Sequence, residues 1–351
     1  MKINSLCRRA TAALVALLLT SLAVPNAHAT PISIDWVTVG DPNNAADTSP
    51  SGYGAVADTF RIMKFEFTNA HYTAFLNSVD PNGSNPNSIY DSSMGSDARG
   101  GITNTGTTNG SRYAVKSNMG DKPVNFVSWF DAARVANWLQ NGQGSSSTET
   151  GAYTLVGGQT SGTAPAVNPG ATFYIPTEDQ WYKAAFYKGS GTNAGYWDYA
   201  TQSDTAPTAV TANETGIGSA GSAGNFANYN RGADWNSLDG NVTTVGTNGG
   251  VSAYGAFDMS GNVWEWNDLT GAAGSVRGLR GGSWDFNAFS LSSSLRDTDD
   301  PSIDYINIGF RLASPVSGPA GVPEIDVAGA RLVAGLIVCG LALLERRRHG
   351  R

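Results

Sequence analysis

The chain has 351 residues, with 22 Lys and Arg against 29 Asp and Glu for a formal charge of −7, and it holds only 2 Cys and 3 His. Cys7 and Cys339 both lie in apolar terminal segments, and residues 30–322 keep one histidine, His71, with 14 basic and 26 acidic side chains for a charge of 14 − 26 = −12. This excludes a disulfide framework, a zinc finger, a Cys nucleophile and any site of two or more histidines, and an acidic body without basic clusters excludes nucleic acid as a partner.

Residues 1–29 join a basic start (Lys2, Arg8, Arg9) to an apolar run and a small-x-small end, Ala27-His28-Ala29, the pattern of a secretory signal peptide. Ile32 to Val39 is strand-like, and Phe60 to Phe67 alternates apolar and polar positions as a half-buried strand does. Thr68 then caps a helix whose Tyr72, Phe75, Leu76 and Val79 share a face until Asp80-Pro81-Asn82-Gly83 ends it. His71 falls off that face and reads as a partly exposed surface histidine. After a polar loop, residues 81–120, the capping-box pair Ser128 and Asp131 opens a second helix faced by Trp129, Ala132, Val135, Ala136 and Leu139, closed by Gly142.

A polar insertion, residues 142–168, leads to a short strand at Thr172–Pro176 and a third helix, capped by Thr177 with Gln180 and running to Tyr187. Two aromatic-rich stretches follow, 227–230 and 254–266, and then strand-like runs at 276–284 and 306–312. A few helices set among short strands and long, Gly-rich loops indicate an α+β fold of about three helices. Asp297, Asp299, Asp300 and Asp304 read as a solvated acidic loop.

The order of motifs resembles one family. Phe65-Glu-Phe-Thr-Asn69, Pro123-Val-Asn-Phe-Val-Ser-Trp-Phe-Asp-Ala132, Ile175-Pro-Thr-Glu-Asp-Gln-Trp181, Asp258-Met-Ser-Gly-Asn-Val-Trp-Glu-Trp266, Arg280-Gly-Gly-Ser-Trp284 and Ile308-Gly-Phe-Arg311 are similar to the formylglycine-generating enzyme, or sulfatase-modifying factor, family. The resemblance implies one loop-rich domain over residues 30–313, with a fold related to C-type lectins. It also implies copper enzymes that oxidise a substrate cysteine to formylglycine with two cysteines placed just after Gly-Gly-Ser. Here those positions align to Phe286 and Leu291, neither of which ligates copper(I), a metal that seeks soft thiolate. No copper is expected. Trp264 and Ser283 match the lining of the family's oxygen site and remain as a vestigial pocket, with Trp264 read as core and Ser283 as a turn or strand hydroxyl. The family's iron-dependent sulfoxide synthases need three histidines from a further helical domain, and this chain has neither.

Calcium is the cofactor the resemblance retains. The ion takes roughly six to eight oxygens, carbonyls included. A first set would be the side chains of Asp258 and Glu265 with the carbonyls of Gly261 and Val263, brought together by the tight Ser260-Gly261-Asn262 turn. A second would be Asn228, Tyr229, Asp239 and Asn241, with Tyr229 and Asn241 acting through carbonyls. The alternative is that Asp258 and Glu265 only hydrogen-bond turn amides. Arg280 and Arg311 read as braces that pair with carboxylates. The aromatics around 225–236 suit either the core or stacking on sugar rings.

Residues 314–321 form a Pro/Gly/Ser linker, and residues 322–351 resemble a PEP-CTERM sorting tail, with Val322-Pro-Glu-Ile-Asp326, an apolar run and Arg346-Arg347-Arg348. The run from Leu332 to Leu344 is short of the about 20 residues that span a bilayer, unless Val327–Leu344 crosses with Arg331 snorkelling. The resemblance implies an exosortase-type processing enzyme as partner and an exported, envelope or matrix location, with exopolysaccharide or envelope proteins as further partners. The expected function is a non-oxidising, calcium-stabilised binding or structural module; the competing one is an oxidoreductase with a divergent site built from Trp264, Ser283, Asp285 and Glu265.

Overall fold

In the computed structural model of the chain, described for residues 31–49, 52–107 and 111–316, the helices start where side chains cap free N–H groups. Thr68 Oγ1 accepts from the His71 N–H and opens α1 (Asn69–Val79), and Asp80 closes it. A single turn, α2 (Ser93–Ser96), follows and is a fourth helix beyond the three expected. The capping boxes form as the spacing predicts: Ser128 with Asp131 at α3 (Trp129–Gln140), and Thr177 with Gln180 at α4 (Glu178–Phe186). None of the described helices is long and apolar enough to cross a membrane, and the signal-peptide, tail and Cys positions lie outside the described residues.

The strands are short. β1 (Trp36–Val39) and β2 (Phe60–Met63) pair antiparallel, while β3 (Ile102–Asn104) with β4 (Tyr113–Val115) and β5 (Thr208–Ala209) with β6 (Phe226–Ala227) make two-stranded ribbons. A four-stranded sheet is built from β7 (Trp264–Asn267), β8 (Arg277–Arg280), β9 (Asp297–Asp299) and β10 (Ile308–Gly309), in the order β10-β7-β8-β9. The last strand, β11 (Ala313–Pro315), returns to β2, so β2 lies between the first and last strands.

Several expected strands are trimmed, each for a physical reason. The run at 276–284 stops at Arg280 because Gly281 and Gly282 turn into positive φ, +95° and +70°. Thr172–Pro176 makes a single bridge, Tyr174 to Ala313, since Pro176 has no N–H with which to extend a ladder. Beyond Met63 the backbone pairs with loops, as when Phe67 N–H donates to Phe310 O. β11 runs two residues into the segment read as linker, and the expected acidic loop is in part β9, an edge strand whose charged side chains discourage further pairing.

The largest core cluster packs α1 and α3 through Tyr72, Phe75, Trp129 and Trp138 against Phe67, Trp266 and Phe310. A second surrounds Trp181, Tyr182 and Phe186 of α4, and a third joins Trp235, Val263 and Trp284. Buried arginines link these clusters. Arg277 pairs with Asp268 at 2.8 Å, and Arg280 meets Glu178 at 2.8 Å while lying over the rings of Tyr53 and Tyr182. Arg296 reaches the same Glu178 oxygen at 2.7 Å. Arg311 meets Glu265 at 2.6 Å, so the brace reading of Arg280 and Arg311 holds.

Glu178→Ala leaves the buried Arg280 without its counter-charge, and a loss of about 3–5 kcal/mol in denaturant unfolding is expected. Thr177→Ala removes only the cap of α4, and about 1 kcal/mol is expected from the same measurement.

Candidate functional site

Strand β7 presents neighbouring side chains to opposite faces, and this divides the site. Trp264, 4 % exposed, meets the edge of the Phe286 ring at a centroid distance of 5.5 Å and 83°. Ser283 is fully buried and its hydroxyl donates to Asp285 Oδ1 at 2.7 Å, an oxygen that also accepts from Asn307 Nδ2 at 3.1 Å. The two positions aligned to copper cysteines diverge: Phe286 is 40 % exposed, whereas Leu291 is fully buried in the 3-10 turn Ala288–Leu291 against the Gly282 backbone. A ring edge and an aliphatic side chain in separate environments do not fit copper.

Phe286 and Asp285 border a cavity of about 630 Å³ whose wall includes Phe126, Tyr305 and the carboxylates Asp91, Asp97 and Asp304. None of these four aspartates takes part in an ion pair among the described residues. Burial, and then the Asp91 charge, push the Asp304 carboxyl up to about 6. Phe126 holds φ at +57°, a conformation that bulky side chains avoid and that concentrates at functional sites.

The other face of β7 carries Glu265. Arg311 grips it in bidentate fashion, Nε to Oε2 and Nη2 to Oε1, both at 2.6 Å, and Trp181 Nε1 donates to Oε2 at 2.7 Å. Asp258, in the left-handed region at φ +56°, accepts from Gly246 N–H at 2.6 Å and Asn248 Nδ2 at 2.8 Å. Glu265 Oε1 and both Asp258 oxygens thus keep a free lone pair each. Burial pushes the Asp258 carboxyl up. Among the described residues no three His, Cys, Asp or Glu side chains converge on a metal-sized site, so a cation here would rest on mixed carboxylate and carbonyl oxygens. Asp258 and Glu265 thus take the hydrogen-bonded arrangement that the sequence offers as the alternative, Asp258 accepting the Gly246 amide and Glu265 the Arg311 fork.

The second set is gathered less tightly. Asn228 is fully buried, its Oδ1 has no donor, and its Nδ2 donates to Asn241 O at 2.8 Å. Tyr229 O accepts from Gly232 N–H, and Asp239 is an exposed side chain paired with Arg231 at 3.3 Å. Asn228 Oδ1 and the Asn241 carbonyl are the fully buried acceptors of this set.

Sequence reasoning overlooked three groups. Asp91 and Asp97 read only as loop polarity, although each accepts an N–H two residues ahead, the Asx-turn spacing. Glu66 is fully buried, with Oε2 accepting from Asn262 Nδ2 at 2.9 Å and Oε1 without a donor. Burial, with Asp258 and Glu265, pushes its carboxyl well above the usual range. The available signal was register, because Glu66 shares its parity with the inward residues Phe60 and Ile62. His71 is partly exposed as read from the sequence, packed on Phe67 with centroids 5.4 Å apart; its Nδ1 has no partner among the described residues, and burial lowers its pKa.

A family model described as sulfatase-modifying factor enzyme 1-like domain matches residues 36–316. Hercynine oxygenase of Mycolicibacterium thermoresistibile is 27 % identical over 321 residues, 81 % of this chain and 58 % of that protein. Inactive C-alpha-formylglycine-generating enzyme 2 of Bos taurus is 36 % identical over 77 residues, 19 % of this chain and 25 % of that protein. The chain therefore spans little more than half the length of the first curated relative and a quarter of the second. Among solved structures, CarF aligns with a TM-score of 0.47 at 21 % identity, over 81 % of this chain and 99 % of that one. Treponema denticola variable protein 1 aligns at 0.45 and 20 %, over 80 % and 94 %. With its six motifs in order and four-fifths of its length matched, the chain belongs to the formylglycine-generating enzyme, or sulfatase-modifying factor, family.

Proposed function

We propose that this chain is an exported, envelope-associated member of the family that does not oxidise cysteine and serves as a calcium-stabilised binding or structural module. The carrying observation is that the copper-cysteine positions hold Phe286, stacked edge-on against Trp264, and the buried Leu291. Likeness to a relative named as inactive agrees with this reading. Export rests on the sequence of residues 1–29 and 322–351, which also motivates an exosortase-type enzyme as processing partner and exopolysaccharide or envelope proteins as neighbours. Calcium is supported by the free lone pairs of Asp258 and Glu265 and by the donorless Asn228 Oδ1. The surface offered to a ligand is the cavity bordered by Phe286, Tyr305 and the unpaired aspartates.

A second reading is an oxidoreductase with a divergent site, favoured by the Ser283–Asp285 hydrogen bond beside Trp264 and by the likeness to hercynine oxygenase. Metal analysis of protein from its native host separates the two. Calcium alone agrees with the module, and stoichiometric iron or copper with the enzyme.

Incubation with a sulfatase-type Cys peptide, copper and oxygen should yield no formylglycine by mass spectrometry; stoichiometric product would overturn the module. Chelation with EGTA should lower the melting temperature by about 3 °C, roughly 1 kcal/mol at this size, and an unchanged transition removes calcium from the account. Asp304 should titrate near pH 6 in carboxyl NMR. Because its folded pKa lies above the unfolded value of about 3.9, its contribution to stability is complete below that value and is lost as pH rises through about 6. Asp304→Asn should flatten that part of the stability profile.

A further inference from the structure

Phe286 and Tyr305 stand on the wall of the cavity of about 630 Å³ and are 40 % and 56 % exposed. Neither ring belongs to a core cluster, so the scaffold closes without them. Large aromatic rings left in solvent on one concave surface mark a place where a ligand packs.

The polar part of the wall is rich in acceptors. Asp91 and Asp97 each spend one oxygen on an N–H two residues ahead, and Asp285 Oδ1 takes both the Ser283 hydroxyl and Asn307 Nδ2. The second oxygens of these three aspartates accept nothing from the described residues. Donors on the wall turn inward instead: Phe126 N–H goes to Tyr305 O at 3.1 Å, and Phe286 N–H to Ser283 O at 3.2 Å. Lys116 donates to the Asp97 carbonyl at 2.6 Å but makes no ion pair with its carboxylate. Asp304 titrates at about 6 and so is mostly ionised at pH 7. Four carboxylates against one ammonium give −4 + 1 = −3.

These charges are set apart. Asp91 and Asp97 flank α2, Asp285 follows β8 and Asp304 follows β9, and among the described residues no three carboxylates gather on a metal-sized point. A matching ligand donates hydrogen bonds and accepts none, carries several separated positive charges, and has apolar surface between them. An ammonium has three donors and no acceptor. A peptide brings a carbonyl for nearly every N–H, and a metal ion has no apolar surface to lay on a ring.

Resting on the reading of this cavity as the module's ligand surface, we propose that it binds a linear aliphatic polyamine, with ammonium groups on the aspartates and methylene spacers on Phe286 and Tyr305. The rings add cation–π attraction to the apolar contact.

The test is isothermal calorimetry on the full chain at fixed ionic strength, with spermidine, with butylamine as a single-charge control, and with magnesium as competitor. Spermidine should bind about tenfold more tightly than butylamine, about 1.4 kcal/mol, and equimolar magnesium should not displace it. Phe286→Ala should weaken spermidine about threefold, the size of an exposed cation–π contact, and Asp91→Asn should weaken it as well. Glu214→Gln, at an exposed acid outside the cavity, should leave it unchanged. Equal losses in Phe286→Ala and Glu214→Gln, or displacement by magnesium, would mean diffuse acidic attraction and overturn the proposal. Should a cavity variant fail to fold, carboxyl NMR of the wild type decides: saturating spermidine should move the Asp304 titration to lower pH, and an unmoved titration overturns the proposal. If spermidine does not bind, this proposal falls and the module reading stands. Formylglycine formation, or stoichiometric iron or copper, would instead end the module reading whatever the amine does.

Discussion

Arg311 uses all five of its N–H donors inside the protein. Two grip Glu265, one reaches Phe257 O, and the remaining pair reaches Met63 O and Lys64 O. One guanidinium therefore fixes the end of β2, the approach to the Asp258 turn and the middle of β7, and through Trp181 on Glu265 it also fixes α4. Because the planar fork of Arg matches a carboxylate in only one orientation, it sets direction as well as distance. Everything described at the site follows from that alignment. With Glu265 held inward, alternation along β7 turns Trp264 toward Phe286 and the cavity.

Scaffold and chemistry separate cleanly here. The scaffold depends on arginines meeting carboxylates, the buried Arg280 and the exposed Arg296 on Glu178, Arg277 on Asp268 and Arg311 on Glu265, and none of these pairs involves positions 286 or 291. The family's oxidation needs two thiolates in one place. A ring at the cavity mouth and a side chain buried beneath Gly282 leave a recess whose character is set by aromatic surface and unpaired carboxylates. Fold membership accordingly says little about reaction.

How much of this was legible in the sequence depended on whether the cause was local. Capping boxes are short-range, and Ser128–Asp131 and Thr177–Gln180 read correctly because their partners stand three residues apart. Strand ends read poorly, since Gly281 and Pro176 halt ladders through backbone geometry that apolar patterning ignores. Arg311 was legible as a brace, but its partner Glu265, 46 residues away, was not. The cavity was least visible: Asp91 and Asp97 flank the single turn of α2, and Asp285 and Asp304 come from stretches roughly 200 residues later that only the tertiary fold brings beside them.

The place of β2 bears on when the domain can form. Its partners are the first strand and the last, Arg61 lying opposite Thr38 on one side and Ser314 on the other. The Arg311 bonds to Met63 and Lys64 close the same gap of almost 250 residues. A nascent chain cannot complete its first sheet, or pin Glu265, until nearly all of the domain has been synthesised. Contacts this distant in sequence make for late and slow folding.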